Sequence, residues 1–116
     1  MTLKFISPEA LYEKLQKNEL TYLLDVRAEE KYRADHIVNP NIEGQNIPKN
    51  IIFDLKGNGE EELPSLPKNR EIVVTCTTGN SARKCAEILS DKEYDVTLLE
   101  GGITAWKQYI DTKDKA

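Results

Sequence analysis

The chain has 116 residues, enough for one hydrophobic core that needs neither disulfides nor a metal to hold it. Sixteen basic and twenty acidic residues give a net charge of −4, which argues against a general nucleic-acid binder; 39% hydrophobic and 31% charged residues fit a soluble globular protein. No apolar run is long enough to span a membrane, no signal peptide precedes Ser7-Pro8-Glu9, and two cysteines without an export signal point to a reducing cytoplasm.

Lys4-Phe5-Ile6 is a weak strand candidate. A helix is expected to start next, with Ser7 as cap, Pro8 in the first helical position and Glu9 at the positive end of the dipole. Ile6 and Leu11 are placed for a hydrophobic staple, Leu11 and Leu15 share a face, and Asn18 is expected to end the helix. Tyr22-Leu23-Leu24-Asp25-Val26 reads as a buried strand, and residues 28–34 as a short helix. The stretch from Asp35 to Pro48, rich in asparagine and holding Pro40 and Gly44, reads as a long loop, with a weak strand candidate around Asn46-Ile47-Pro48. Residues 56–69, with Gly57-Asn58-Gly59, Glu60-Glu61-Glu62, Pro64 and Pro67, read as a flexible, solvated connection.

Glu71 to Cys76 and Val96 to Glu100 read as two more buried strands. All three strong candidates carry consecutive apolar residues, the pattern of a parallel sheet covered on both faces. Ala82, Cys85, Ala86 and Leu89 recur at helical spacing after the second, and Trp106, Tyr109 and Ile110 after Gly101-Gly102. The polar end, residues 111–116, is expected to fray. Alternating strands and helices predict a single α/β domain over residues 1–116, built on a parallel sheet.

In such a sheet, ligands bind beyond the carboxyl ends of the strands. Asp25, Cys76 and Glu100 fall at such ends, and of these only Cys76 is a nucleophile. The segment Cys76-Thr77-Thr78-Gly79-Asn80-Ser81-Ala82 joins a strand to a helix, and Gly79 permits a left-handed turn within it. Successive inward N–H groups make an anion-binding nest, and the following helix adds its positive end. A thiol at the base of the nest is expected to exist largely as thiolate. The same local sequence also fits a buried structural cysteine followed by a helix start.

Cys85 lies on the apolar stripe of its helix and reads as a core residue. His36 and the Asp25/Arg27 pair read as structural, Trp106 as core, and Arg83 as a solvated helix residue. One histidine and two scattered cysteines offer no zinc-ligand set.

Five pieces in order carry a resemblance: Leu24-Asp25-Val26-Arg27; Tyr32 with His36-Ile37; Asn46-Ile47-Pro48; Ile72-Val73-Val74-Thr75-Cys76-Thr77-Thr78-Gly79-Asn80-Ser81; and Leu99-Glu100-Gly101-Gly102-Ile103-Thr104-Ala105-Trp106. Over nearly its whole length the chain resembles the single-domain rhodaneses of the rhodanese-like sulfurtransferase family. The resemblance implies an open, mostly parallel five-stranded sheet with helices on both faces. It also implies that Cys76 accepts sulfane sulfur as a persulfide from a small-molecule donor, thiosulfate or a persulfide, and passes it to a thiol or protein acceptor. The amides of Thr77, Thr78, Gly79, Asn80 and Ser81 would surround the transferred sulfur, with no cofactor and no metal.

Family loops often read Cys-Arg-x-Gly-x-Arg, and the two arginine positions are Thr77 and Ser81. The loop therefore lacks fixed positive charge, and weak thiosulfate binding is expected. An alternative reading is a non-catalytic rhodanese-like module that binds a partner or senses sulfur or redox state. A phosphatase or arsenate reductase needs Cys-x5-Arg to clamp its oxyanion; here that position is Ala82, and Arg83 comes one residue late.

Overall fold

Runs of consecutive apolar residues need cover on both faces of a sheet. A computed structural model, describing residues 3–55, 63 and 65–114, provides it. Strands β1 (Lys4–Ile6), β2 (Thr21–Asp25), β3 (Ile42–Asn46), β4 (Ile72–Thr75) and β5 (Val96–Leu99) form one sheet in the order β1-β5-β4-β2-β3. Every neighbouring pair is parallel. Helix α1 is Pro8–Gln16, α2 Glu29–Ala34, α3 Lys49–Phe53, α4 Asn80–Asp91 and α5 Gly102–Asp114.

Successive strand residues point to opposite faces, so each apolar run feeds two cores. Leu24, Ile72, Val74 and Leu98 pack with Ile52 of α3 and Ala82, Cys85, Ala86 and Leu89 of α4. Leu23, Val73 and Leu99 pack on the other face with Leu11 and Leu15 of α1 and Ile103 of α5. Each such aliphatic side chain contributes about 1.5–3 kcal/mol when fully buried. Helix α1 begins as its sequence requires: Ala10 N–H donates to Ser7 Oγ at 3.1 Å, and Pro8 occupies the first turn. It stops at Gln16, two residues before Asn18 takes a left-handed φ of 62°. No helix among the described residues is long and apolar enough to cross a membrane.

Two expectations are corrected. The stretch from Asp35 to Pro48 is not all loop: it contains β3, which ends where the weak candidate at Asn46-Ile47-Pro48 was expected to begin. This edge strand has no apolar run to announce it. It is specified by its ladder with β2, from Thr21 opposite Ile42 to Asp25 opposite Asn46, and by Arg70 donating to Glu43 at 2.9 Å. Residues 111–114, within the polar stretch expected to fray, are helical instead, since α5 continues to Asp114; residues 115–116 lie outside the described residues. Tyr109 packs edge-on against Tyr12 of α1, with centroids 5.7 Å apart, and Lys113 lies over both rings. Much of the expected connection over residues 56–69 lies outside the described residues.

At the end of the sheet opposite Cys76, Glu71 accepts hydrogen bonds from Thr97 at 2.7 Å and from Lys4 and Lys14, each at 3.1 Å. Burial alone raises its carboxyl pKa, but these donors outweigh it and bring the value from 4.5 to about 2. A depressed carboxylate stabilises the fold above its unfolded pKa, and this contribution is lost as pH falls from 4.5 towards 2. The cluster is partly exposed, so solvent screening leaves roughly 1 kcal/mol. Urea titrations should show Glu71→Gln less stable than wild type by about that amount at pH 7, with the gap closing near pH 2. A gap that persists undiminished at low pH would refute the assignment.

Candidate active site

Cys76 directly follows β4, where the chain leaves the sheet and turns into α4. Gly79 makes the turn with a φ of 105°, a conformation open to glycine and strained for other residues. The turn aims two backbone donors at the thiol: the N–H of Gly79 lies 3.0 Å from Cys76 Sγ and that of Ala82 3.3 Å. The sulfur therefore sits at the positive end of a twelve-residue helix. Its residue is only 5% exposed, so a reactant must enter a defined space to reach it.

The loop is held from behind by α5. Ile103 N–H donates to the Cys76 carbonyl at 2.9 Å, and Thr104 N–H to the Thr77 carbonyl at 3.0 Å. Gly102 lets the two segments approach this closely. A Cβ there would lie 2.5 Å from the Cys76 carbonyl oxygen and 2.7 Å from that of Thr77, and its φ of 62° is also left-handed. The sequence marks Gly101-Gly102 as a turn but does not reveal that the second glycine supports the cysteine loop.

In front of the thiol lies a pocket of about 370 Å³. Cys76, Thr77, Thr78, Asn80 and Ser81 line one side; Gly79 faces the sulfur through its N–H instead. The opposite side comes from the turn after β2, with Arg27, from Lys31 of α2 and from Lys49 of α3. These segments meet because β4, β2 and β3 are neighbours in the sheet, so their carboxyl ends open side by side. Asn46 fastens them, its amide donating to the carbonyls of Asp25 at 3.0 Å and Arg27 at 2.9 Å. Lys49 N–H donates to the Val26 carbonyl at 2.9 Å.

The cations differ in availability. Arg27 is clamped by Asp25, with Nη2 2.8 Å from Oδ2 and Nε 3.0 Å from both carboxylate oxygens, and the pair is nearly buried. This is the structural role expected of it, and it neutralises the guanidinium. Lys31 and Lys49 are exposed and have no ion-pair partner among the described residues. The loop itself carries no charge, as the sequence indicates. The pocket's other wall carries the exposed Lys31 and Lys49.

The remaining candidates lie elsewhere. Cys85 is fully buried in α4, and burial, reinforced by the nearby Cys76, pushes its thiol up to about 12. His36 stacks on Tyr32 and contacts the Tyr32 carbonyl through Nδ1 at 2.7 Å. With the partly buried Trp106 it lines a separate pocket between α5 and the segment after α2. Arg83 pairs with Glu87 on the exposed face of α4. Glu100 directly follows β5 but does not line the Cys76 pocket.

The model of the rhodanese-like domain matches residues 7–109. YtwF from Bacillus subtilis is 31% identical over 107 residues, which span 92% of this chain and 93% of that protein. The adenylyltransferase and sulfurtransferase uba4 of Ogataea parapolymorpha is 31% identical over 100 residues, 85% of this chain but only 23% of that larger protein. Among solved structures, the rhodanese-like domain protein from Staphylococcus aureus superposes with a TM-score of 0.73 at 30% identity, over 90% of this chain and 91% of that one. Fold, motif order and sequence thus agree over almost the full length of the chain, which belongs to the rhodanese-like domain family.

Proposed function

We propose that the protein is a sulfurtransferase that carries sulfane sulfur on Cys76. The observation that carries this reading is the pair of backbone N–H groups, from Gly79 and Ala82, directed at Cys76 Sγ at the base of an open pocket. Donors fixed in this way stabilise a sulfur anion without reorganising during reaction. With thiosulfate, the Cys76 thiolate attacks the outer sulfur, a new S–S bond forms, and the old one breaks with its electron pair leaving on sulfite. The leaving group departs as an anion, so no general base is needed. The persulfide Cys-S-S⁻ then gives its terminal sulfur to a nucleophilic acceptor, a thiol or a protein thiol, and the Cys76 thiolate returns. Thr77, Thr78, Asn80 and Ser81, lining the same pocket, surround the transferred atom. A free thiol at Cys76 suits a reducing cytoplasm.

The test is intact-mass measurement after incubation with thiosulfate or an organic persulfide and removal of excess donor. A gain of one sulfur atom is expected, reversed by cyanide with release of thiocyanate. No gain from any donor would overturn the transferase reading in favour of a binding or sensing module.

A further inference from the structure

The pocket between α5 and the segment after α2 shares no lining residue with the one at Cys76. It holds about 260 Å³. Its floor is part of the core: Ile37 and Ile103 are buried with Leu23, Val73 and Leu99, and Trp106 packs against them. Val38 and Ile110 complete the apolar lining. Ligand pockets of about 300–1,000 Å³ take drug-sized molecules, and an apolar cavity of about 150 Å³ takes benzene. A space between those sizes fits one ring with a short tail.

The polar lining sets the charge of that tail. Asp35 and Lys107 pair with each other, so the one ammonium group of the pocket is already neutralised. His36 is stacked on Tyr32, with Nδ1 at the Tyr32 carbonyl 2.7 Å away. Asp111, one turn beyond Lys107 on α5, is exposed and has no ion-pair partner among the described residues. The indole of Trp106 also favours a cation, through the negative face of its ring. We propose that this pocket binds a small organic cation, an ammonium group carried on a single aromatic ring, with the ring against Trp106 and the ammonium at Asp111. The site stands apart from the transferase reading and does not depend on it.

Trp106 is the only tryptophan of the chain, so its fluorescence reports on this pocket. Wild type is titrated at low, matched ionic strength with three probes of similar size. Phenethylamine is a cation, phenethyl alcohol is neutral and phenylacetate is an anion. Phenethylamine should change Trp106 emission saturably, with a Kd in the millimolar range for a ligand this small. The alcohol should bind roughly fivefold more weakly, the typical effect of losing one exposed ion pair, and phenylacetate more weakly still. Asp111→Asn, a near-isosteric change at an exposed position, should bring the amine down to the alcohol and leave the alcohol unmoved. Added salt should do the same, since the screening length is about 10 Å at 0.1 M. NMR shifts locate the ligand: signals of Ile37, Val38, Ile103 and Ile110 should move, and those of Thr77, Thr78 and Ser81 should not.

Emission that stays unchanged throughout the phenethylamine titration overturns the site, as do shifts that gather at the Cys76 loop. Equal binding of amine and alcohol, or an amine affinity untouched by Asp111→Asn, overturns the assignment of a cation. None of these outcomes bears on sulfur transfer by Cys76, which is measured separately.

Discussion

Cys76→Ser is expected to reduce sulfur transfer to background, while Cys85→Ser keeps most of it. Both thiols are buried, so burial alone does not separate them. Their surroundings do. Cys76 Sγ receives two amide hydrogen bonds and opens onto the pocket, whereas Cys85 is fully enclosed among apolar side chains of α4. With burial pushing its thiol up to about 12, Cys85 would be ionised in only about one molecule in 10⁵ at pH 7. A serine at position 76 keeps the pocket shape but replaces an ionisable thiol with a weakly acidic hydroxyl. Thiocyanate formation from thiosulfate and cyanide measures the loss, and peptide mapping after brief alkylation should find Cys76 modified well before Cys85. Equal loss of transfer in the two variants, with both folded, would overturn the single-cysteine mechanism.

Gly102→Ala should damage both fold and transfer. The left-handed backbone costs a non-glycine residue about 1–2 kcal/mol, and forcing a methyl into a packed site adds about 1–3. Here the colliding atoms are the carbonyl oxygens of Cys76 and Thr77, at 2.5 and 2.7 Å, and neither is the free end of a flexible side chain. Relieving the clash turns the peptides that carry the cysteine and weakens the bonds from Ile103 and Thr104. A loss of roughly 2–5 kcal/mol corresponds to a melting temperature lower by on the order of 10 °C or more. Sulfur transfer should drop more than about tenfold, since a 1 Å misplacement of a reacting group can cost about 10²-fold. Gly79→Val separates the two effects. The nearest atom to a Cβ at Gly79 is the Gly101 nitrogen at 3.7 Å, so a Cβ itself meets no clash and the φ of 105° is what a β-branched residue resists. It should lose transfer with a smaller fall in melting temperature. A Gly102→Ala protein with wild-type melting and turnover would show that α5 does not hold the loop.

Elements that carry their own local signal are legible in the amino-acid order alone. The unbroken apolar runs of β2, β4 and β5 require a sheet buried on both faces, and Ser7-Pro8 starts α1 through local chemistry. Cys76 and Gly79 are legible as a loop of special geometry because a strand pattern runs into them and a helical stripe leaves. Elements specified by their partners were not legible. Polar β3 exists through its ladder with β2, five-residue α3 through packing on α4, and the last turns of α5 through contact with α1. The charge of the pocket is the clearest case. Lys31, Lys49 and Cys76 lie far apart in the chain, and nothing local connects them. They line one pocket because β2 lies between β3 and β4, an order set by how the strands and their crossovers bury two faces together.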